Sequence, residues 1–218
     1  VFANRIEDKV RDTLKAKAGK SVSESEIRSW KNSLRYMDAI VEDPEIPDDT
    51  GIAIEFNVPN TSKRIDFILT GRNRDGTRTV VIVELKQWQQ AETTNKDAIV
   101  NTFLGGGKRD TSHPSYQAWS YATLIEDYNE TVREEPIRLK PCAYLHNCES
   151  GSALLDPRYS EHTKRAPVFL KHDSQKLRNF IKSHVKYGDS GEAMYLIKDG
   201  KIRPSKNLAD HLCSLLEG

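Results

Sequence analysis

The sequence predicts an α/β fold in which a central mixed β-sheet is flanked by helices. Three apolar, β-branched segments follow one another between residues 52 and 85, and helical patterns lie on both sides of them. A length of 218 residues is enough for one sizeable core, so residues 1–218 are predicted to form a single domain. Residues 1–25 are expected to be a helical extension of that domain.

The first long helix is predicted from apolar residues that recur at helical spacing. These residues are Ile27, Trp30, Leu34, Met37 and Val41. Ser23 and Glu26 have the spacing of a capping box, which satisfies backbone N–H groups at a helix start. The segment EDPEIPDDTG ends the helix.

Three strands are expected at residues 52–58, 65–70 and 80–85, and they are interpreted as an antiparallel meander. Turn-forming residues at 74–76 join the second strand to the third. One or two further strands are predicted at residues 137–145 and 168–170, which would extend the sheet.

The remaining segments are assigned from the glycine, proline and polar residues that begin or end helices and loops. The polar, glycine-rich stretch from Trp88 to Arg109 is expected to be an extended loop. Pro114 suits the first turn of a helix that continues to about Tyr128. A further helix is expected over residues 174–187, with Gly188 as its stop, and a final helix begins near residue 205.

Composition argues against a strongly basic protein, a membrane-spanning protein and a secreted protein with a disulfide framework. Lys and Arg number 33 against 32 Asp and Glu, so no whole-molecule field attracts a polyanion, and any such ligand must bind a local patch. No apolar run approaches the roughly 20 residues of a membrane span, so no membrane association is expected. Three cysteines are too few for a secreted disulfide framework, which predicts a cytoplasmic location.

Charged residues end the buried third strand, in the segment VVIVELKQW. Glu84 and Lys86 are two apart, so they face the same side of the sheet, while Leu85 faces the other side. Asp66 lies near the start of the second strand, and antiparallel pairing brings it to the same sheet edge. Two converging carboxylates resist burial unless a cation lies between them, and oxygen ligands favour Mg²⁺ or Mn²⁺.

A glutamate and a lysine two residues apart are also common as a surface ion pair, so this motif needs support from elsewhere in the chain. Asp66 followed by Glu84, Leu85 and Lys86 resembles the motif of the PD-(D/E)xK nuclease superfamily. Isoleucine at position 65 replaces the proline of the family name. Gln87 follows directly, as it does in many members.

A second motif lies on the later helix. Gln117 and Tyr121 are four residues apart and resemble the Q-x-x-x-Y motif of the RecB-like branch, although aromatic residues at this spacing more often belong to a core. The segments SEIRSWKNSL, TSKRIDFILTG, VVIVELKQW, HPSYQA, AYLHN and RPSKNL follow in order. Together they resemble the N-terminal nuclease-like region of bacterial Schlafen group 3-like DNA/RNA helicase proteins.

The resemblance implies a restriction-endonuclease-like core and a metal-dependent hydrolysis of phosphodiester bonds, with DNA as the preferred substrate. It assigns Mg²⁺ or Mn²⁺ to Asp66, Glu84 and the Leu85 carbonyl, and the positioning of water to Lys86. Gln87, Gln117 and Tyr121 would support the reaction. It also implies a covalently linked helicase domain that follows this chain, and a role in phage defence or DNA processing. The alternatives are a catalytically silent binding module and a nuclease that cleaves RNA or tRNA.

Other candidate residues have competing explanations. Glu55 on the first strand and Glu26 on the first helix are secondary metal candidates, but an exposed strand position and a capping box explain them equally well. Cys142, His146 and Cys148 match no common zinc spacing, so buried thiols are favoured. The glycine run at 105–107 lacks the first glycine of a phosphate-binding loop, so ATP is not expected to bind.

Basic residues near the predicted site and along the later helices are candidates for contact with nucleic acid. Charged helix faces are ordinarily just solvated, which is the competing interpretation. The candidates are Lys63, Arg64, Lys108, Arg109, Lys164, Arg165, Lys176 and Arg178.

Overall fold

The computed structural model of the chain describes residues 24–217, and the side chains of residues 32–210 and 213–215 within them. The capping box at residues 23–26, most of the expected N-terminal extension and the side chain of Glu26 lie outside these described parts. Within residues 24–217, none of the helices is long and apolar enough to cross a membrane.

The described residues form seven α-helices, eight strands and one short 3-10 helix, Pro157–Tyr159. The helices are α1 (Glu24–Val41), α2 (Pro114–Tyr128), α3 (Glu130–Glu134), α4 (Ser160–Arg165), α5 (Ser174–His184), α6 (Glu192–Asp199) and α7 (Lys206–Glu217). The strands are β1 (Gly51–Asn57), β2 (Arg64–Arg72), β3 (Arg78–Lys86), β4 (Glu92–Thr93), β5 (Ile99–Leu104), β6 (Gly107–Ser112), β7 (Ile137–Leu145) and β8 (Val168–Leu170).

Five strands form a mixed sheet in the order β1-β2-β3-β7-β8. The first three pair antiparallel, as the predicted meander requires, whereas β7 is parallel to β3 and β8 is parallel to β7. A parallel pair needs a long crossover connection, and the chain between β3 and β7 supplies it with α2. The predicted α/β class, the mixed sheet and the fifth strand are confirmed.

The central strand β3 is buried on both faces, which explains its continuous apolar run. Val81, Val83 and Leu85 join a cluster with residues of α1 and α5. Val80 and Ile82 join a cluster on the opposite face with residues of α2 and α6. Helices therefore cover both faces of the sheet. The last side chains of β3 lie between these two layers.

The prediction of an extended loop from Trp88 to Arg109 is wrong. β4, β5 and β6 form a second, three-stranded antiparallel sheet in this region. Gly105 and Gly106 have φ values of 57° and 88° and form the two-residue turn between β5 and β6, a conformation that glycine adopts without a Cβ clash. Val100 and Leu104 pack with Trp88 in a third cluster that also contains Ala143 and Leu145 of β7, so the small sheet packs against the end of the main sheet.

The helix expected over residues 174–187 ends at His184. The backbone N–H groups of Lys186 and Tyr187 donate to the Arg72 carbonyl instead of continuing the helix, so this segment pairs with the end of β2. Gly188 is therefore not the helix stop, and it lies against Asp49. The helices α3, α4 and α6 were not predicted.

Gly71 tests this contact between β2 and the segment after α5. A Cβ atom at this position would lie 2.5 Å from the Tyr187 carbonyl oxygen and 2.6 Å from a Val185 methyl group. We expect Gly71→Ala to lower the free energy of unfolding by about 1–3 kcal/mol, because the two segments must separate. The midpoint of urea denaturation measures this change.

Gly107→Ala is the matched control, because no atom lies within 4 Å of the added methyl group. Its free energy of unfolding should stay within about 0.5 kcal/mol of the parent value. Equal midpoints for Gly71→Ala and the parent would contradict the close approach of the two segments.

Candidate active site at the edge of the sheet

The register of the sheet brings Asp66 and Glu84 together. Phe67 pairs with Val83, so the next residues, Asp66 and Glu84, lie side by side at the edge where β3 ends. Oδ2 of Asp66 accepts a hydrogen bond of 2.8 Å from the backbone N–H of Leu85. The convergence of these two carboxyl groups, which the sequence predicted from strand direction alone, is present in the structure.

The Glu84 carboxyl is buried, with 1% of the residue exposed. Burial raises the pKa of Glu84 to about 8, and the nearby Asp66 carboxyl adds to the rise while Lys86 opposes it. Burial also raises the pKa of Asp66, although the Leu85 N–H group and Lys86 both act to lower it. Too little positive charge therefore lies near Asp66 and Glu84 for both carboxyl groups to be ionised at neutral pH.

Lys86 lies beside Glu84, with its Nζ 2.7 Å from Oε1. The ammonium group also lies 5.5 Å from the centre of the Trp88 ring, which helps to hold it in place. Only 2% of the Glu84 side chain is exposed, so the alternative of a surface ion pair is wrong. The second oxygen, Oε2, is also buried, and the carboxyl groups of Glu84 and Asp66 share a hydrogen bond when one of them is protonated.

The helix α2 places Tyr121 and Gln117 next to these carboxyl groups. Tyr121 is 6% exposed, and its pKa rises to about 12 because the phenol is buried and the charge of Glu84 lies nearby. Nε2 of Gln117 donates a hydrogen bond of 2.8 Å to Oη of Tyr121. Tyr121 also belongs to the core cluster under α2, so the core interpretation of this residue is confirmed, and its role in a site stays a prediction.

Glu55 lies level with Asp66 on the neighbouring strand, because Ile54 pairs with Phe67 and Phe56 pairs with Ile65. Glu55 is buried, and it has a φ of 55°. A left-handed backbone costs a residue with a side chain about 1–3 kcal/mol, and such strain clusters at functional sites. The carboxylate pairs with Arg64, so the proposed exposed position of Glu55 is wrong and Arg64 is engaged at this site.

A cavity of about 220 Å³ opens beside these residues. It is lined by Ser33, Leu34, Ile54, Glu55, Arg64, Asp66, Leu85 and Gln87. A larger cavity of about 520 Å³ lies beside α6, and none of the predicted site residues lines it. The smaller cavity reaches Glu55 and Asp66, whereas Glu84 and Lys86 are not among the residues that line it.

Gln87 is held by a chain of polar side chains that sequence reasoning missed. Its Nε2 donates to Oγ of Ser33 over 3.1 Å, and the same hydroxyl lies 3.1 Å from Nε2 of His146. The His146 ring is buried and stacks on Tyr36 with a centroid distance of 4.2 Å. Ser33 and His146 are 113 positions apart, and no local pattern links them.

The residues considered for zinc have other surroundings. His146 binds Ser33 and Asn147, and Cys142 and Cys148 are buried free thiols, with the pKa of each raised by burial. Among the described residues, no group of three or more His, Cys, Asp or Glu side chains has an arrangement that could hold a metal ion.

The candidate nucleic-acid-binding residues lie on β2, β6, α4 and α5 and in the segment before β2. Several have protein partners, which are Glu55 for Arg64, Glu92 for Lys108, Glu161 for Lys164, Asp173 for Lys176 and the Ala39 carbonyl for Arg178. Lys63, Arg109 and Arg165 are exposed. Arg165 lies over the ring of Trp119.

Comparisons of the chain with protein-family models, with curated proteins and with solved structures gave no match. The resemblance to nuclease motifs therefore stays a prediction from the sequence.

Without divalent cations, the stability of the protein should fall as pH rises from about 4.5 towards 8. The folded state keeps a proton on Glu84 that the unfolded chain releases, since folding raises its pKa from 4.5 to about 8. This contribution is fully present below pH 4.5 and is lost as pH rises through 8. We expect Glu84→Gln to flatten this slope, measured by urea denaturation with a chelator present.

Glu161→Gln is the control for this titration, because Glu161 is exposed and its pKa is lowered by an ion pair with Lys164. Its slope between these pH values should match that of the parent. The raised pKa of Asp66 acts in the same direction in every variant, so some slope will remain. An unchanged slope in Glu84→Gln would show that the carboxyl does not titrate in this range.

Proposed function

We propose that this chain is a metal-dependent nuclease of the PD-(D/E)xK superfamily with a restriction-endonuclease-like core. The observation that carries the proposal is the meeting of Asp66, Glu84 and Lys86 at one sheet edge, with Tyr121 beside them. The meander followed by parallel strands, in the order β1-β2-β3-β7-β8, agrees with this proposal.

The site offers two carboxyl groups and one backbone carbonyl to a divalent cation, which is fewer than three acidic side chains, and waters or a phosphate would complete the shell of the ion. Two buried carboxyl groups with raised pKa values converge, and each increases the cost of ionising the pair. A hard cation such as Mg²⁺ or Mn²⁺ would supply the missing charge to Asp66, Glu84 and the Leu85 carbonyl. When bound, such an ion polarises a phosphate and lowers the pKa of a water molecule. Glu55 is a further candidate through its place level with Asp66.

Lys86 has the position to act on a phosphodiester substrate. Its ammonium group is fixed between Glu84 and the Trp88 ring, at the same sheet edge as the two carboxyl groups. A fixed cation at this place can orient the attacking water and offset the negative charge that develops on the phosphate. Because the group is already held in position, little reorganisation is needed when the charge develops.

The phenol of Tyr121 is expected to act as a neutral hydrogen-bond donor. Its pKa of about 12 keeps it protonated at neutral pH, and Gln117 already donates to its oxygen. The hydroxyl hydrogen of Tyr121 is then available for a carboxylate or phosphate oxygen. Gln87 lines the cavity, and its bond to Ser33 holds it where it can orient a substrate.

The remaining parts of the proposal rest on the resemblance of the motifs. They are DNA as the substrate, with RNA as the alternative, a helicase domain that follows the chain, and a role in phage defence or DNA processing. Nucleic-acid binding without any metal-dependent cleavage would favour the catalytically silent binding module.

Removal of either carboxylate or of the lysine should abolish cleavage. We expect Asp66→Asn, Glu84→Gln and Lys86→Met each to lower the cleavage rate by roughly 1,000-fold or more, because the phosphodiester barrier is left nearly intact. The assay follows labelled single-stranded DNA, duplex DNA and RNA with Mg²⁺ or Mn²⁺, and with chelator as the blank.

Lys198→Met and Glu161→Gln are matched controls at exposed positions, and they should cut at the parent rate. A Lys86→Met protein that cuts as fast as its parent would contradict the proposed mechanism. Cleavage that persists in the presence of chelator would contradict the proposed requirement for a metal.

The affinity for Mn²⁺ should rise with pH up to about 8, because the ion must displace the proton that Glu84 holds in the metal-free protein. Calorimetry in buffers of different ionisation enthalpy measures the protons released. Glu84→Gln should bind Mn²⁺ more weakly and release fewer protons, and Glu161→Gln should behave as the parent does. A pH-independent affinity would contradict this coupling.

A further inference from the structure

A closed cycle of hydrogen bonds begins and ends at Gln87. Its Nε2 donates to Oγ of Ser33 over 3.1 Å. The Ser33 hydroxyl lies 3.1 Å from Nε2 of His146, and Nδ1 of His146 lies 3.1 Å from Oδ1 of Asn147. Nδ2 of Asn147 donates over 3.4 Å to the backbone carbonyl of Gln87, which closes the cycle. We call these four residues the Gln87 cycle.

Asn147 sets the direction of these bonds. Its Nδ2 faces the Gln87 carbonyl, which can only accept, and Oη of Tyr36 donates to its Oδ1 over 3.4 Å. Oδ1 is therefore the atom that faces His146, and Nδ1 of His146 must carry the hydrogen of that bond. In a neutral imidazole the other nitrogen is then bare, so Nε2 of His146 accepts from the Ser33 hydroxyl.

The surroundings of His146 keep its imidazole neutral and fixed. The residue is fully buried, and burial lowers its pKa, so the ring carries no charge at neutral pH. Tyr36 of α1 stacks on the imidazole, and Tyr144 of β7 meets it edge-on at 6.0 Å. All four hydrogen bonds of the Gln87 cycle then run in the same direction. Hydrogen bonds in such a chain polarise and strengthen one another, so the direction of each depends on the others.

The direction of the cycle decides what the Gln87 amide can offer to a ligand. Because Nε2 is committed to Ser33, the amide meets any further partner with Oε1, which only accepts hydrogen bonds. Gln87 lines the 220 Å³ cavity together with Ser33 and Asp66. A water molecule can donate to an amide oxygen, whereas an ionised phosphate oxygen has no hydrogen to give.

We propose that Ser33, His146 and Asn147 are positioning residues that hold the Gln87 amide as an acceptor, so that it orients a water molecule in the cavity beside Asp66. The three residues touch no substrate themselves and act through Gln87. This proposal rests on the proposed function and adds to it the role of Gln87, which acts on the attacking water and not on the phosphate.

The protonated nitrogen of His146 tests the direction of the cycle. Long-range ¹H–¹⁵N correlation spectra of the ¹⁵N-labelled chain distinguish a protonated ring nitrogen from a bare one. The measurement is made at neutral pH with chelator, so it requires no cleavage. We expect His146 of the parent to be protonated at Nδ1 and bare at Nε2, with its signals assigned by their loss in His146→Gln.

Two variants should change this pattern. Asn147→Ala removes the acceptor of Nδ1, so Nε2 of His146 should become protonated in part or in full. Gln87→Glu places a carboxylate beside the Ser33 hydroxyl, which then donates to the carboxylate, so Nε2 of His146 must carry a hydrogen. Asn179→Ala is the matched control, because Asn179 is exposed on α5 and takes no part in the cycle.

The spectrum of the parent decides the matter even where a variant does not fold. A parent His146 that is protonated at Nε2 would overturn the proposal. A pattern that stays the same in both Asn147→Ala and Gln87→Glu would overturn it as well.

Cleavage kinetics test the role of Gln87. We expect Ser33→Ala to lower kcat by roughly 10- to 100-fold with little change in KM, because the variant misplaces the water and leaves substrate binding intact. Ser33→Thr keeps the hydroxyl and should restore most of the rate. Ser183→Ala should cut at the parent rate, because Ser183 is an exposed serine on α5 that bonds only the Phe180 carbonyl among the described contacts.

The two proposals can fail separately. A parent-like kcat in Ser33→Ala, or a raised KM at unchanged kcat, contradicts the role on the water and leaves the nuclease standing. A protein with His146 protonated at Nδ1 that never cuts with Mg²⁺ or Mn²⁺ keeps the orientation of Gln87 and contradicts the nuclease.

Discussion

Burial of the Glu84 carboxyl at the end of the central strand is the constraint on which the rest of the site depends. β3 is covered on both faces by helices, so its last residues leave the core between two packed layers. A carboxylate there cannot be hydrated, and a buried charge is stable only with compensating partners. Lys86 supplies one partner, whereas the neighbouring Asp66 increases the cost of ionising Glu84. Such an arrangement lowers stability at neutral pH, which is typical of a site shaped by its chemistry.

Neighbouring strands add to this concentration of negative charge. Glu55, Asp66 and Glu84 stand on β1, β2 and β3 at the same edge, and Glu55 holds a strained backbone there. Arg64 and Lys86 compensate part of the charge. The sheet thus supplies a rigid frame in which acidic groups are held together before a ligand arrives. A preorganised frame of this kind lowers the reorganisation required for electrostatic stabilisation during a reaction.

Helices on the two sides of the sheet give the site different surroundings. On the α1 side, Ser33 and His146 hold Gln87 at the small cavity. On the α2 side, Gln117 and Tyr121 meet the carboxyl pair, and the outer side of the same helix presents Trp119 to solvent. Ion pairs engage several of the other basic residues, among them Arg64 and Lys108.

The sequence by itself determined the α/β class, the antiparallel meander, and the meeting of Asp66 with Glu84 and Lys86. Local periodicity fixes which side of a strand a residue faces, and strand direction fixes which ends share an edge. It did not predict the second sheet, because the polar residues of β6 conceal the alternation that marks a strand. The link from Gln87 through Ser33 to His146, the engagement of Arg64 by Glu55 and the placement of Trp119 under Arg165 were decided only by the tertiary structure. Contacts between distant segments depend on how helices and strands pack, and no short-range pattern in the chain records them.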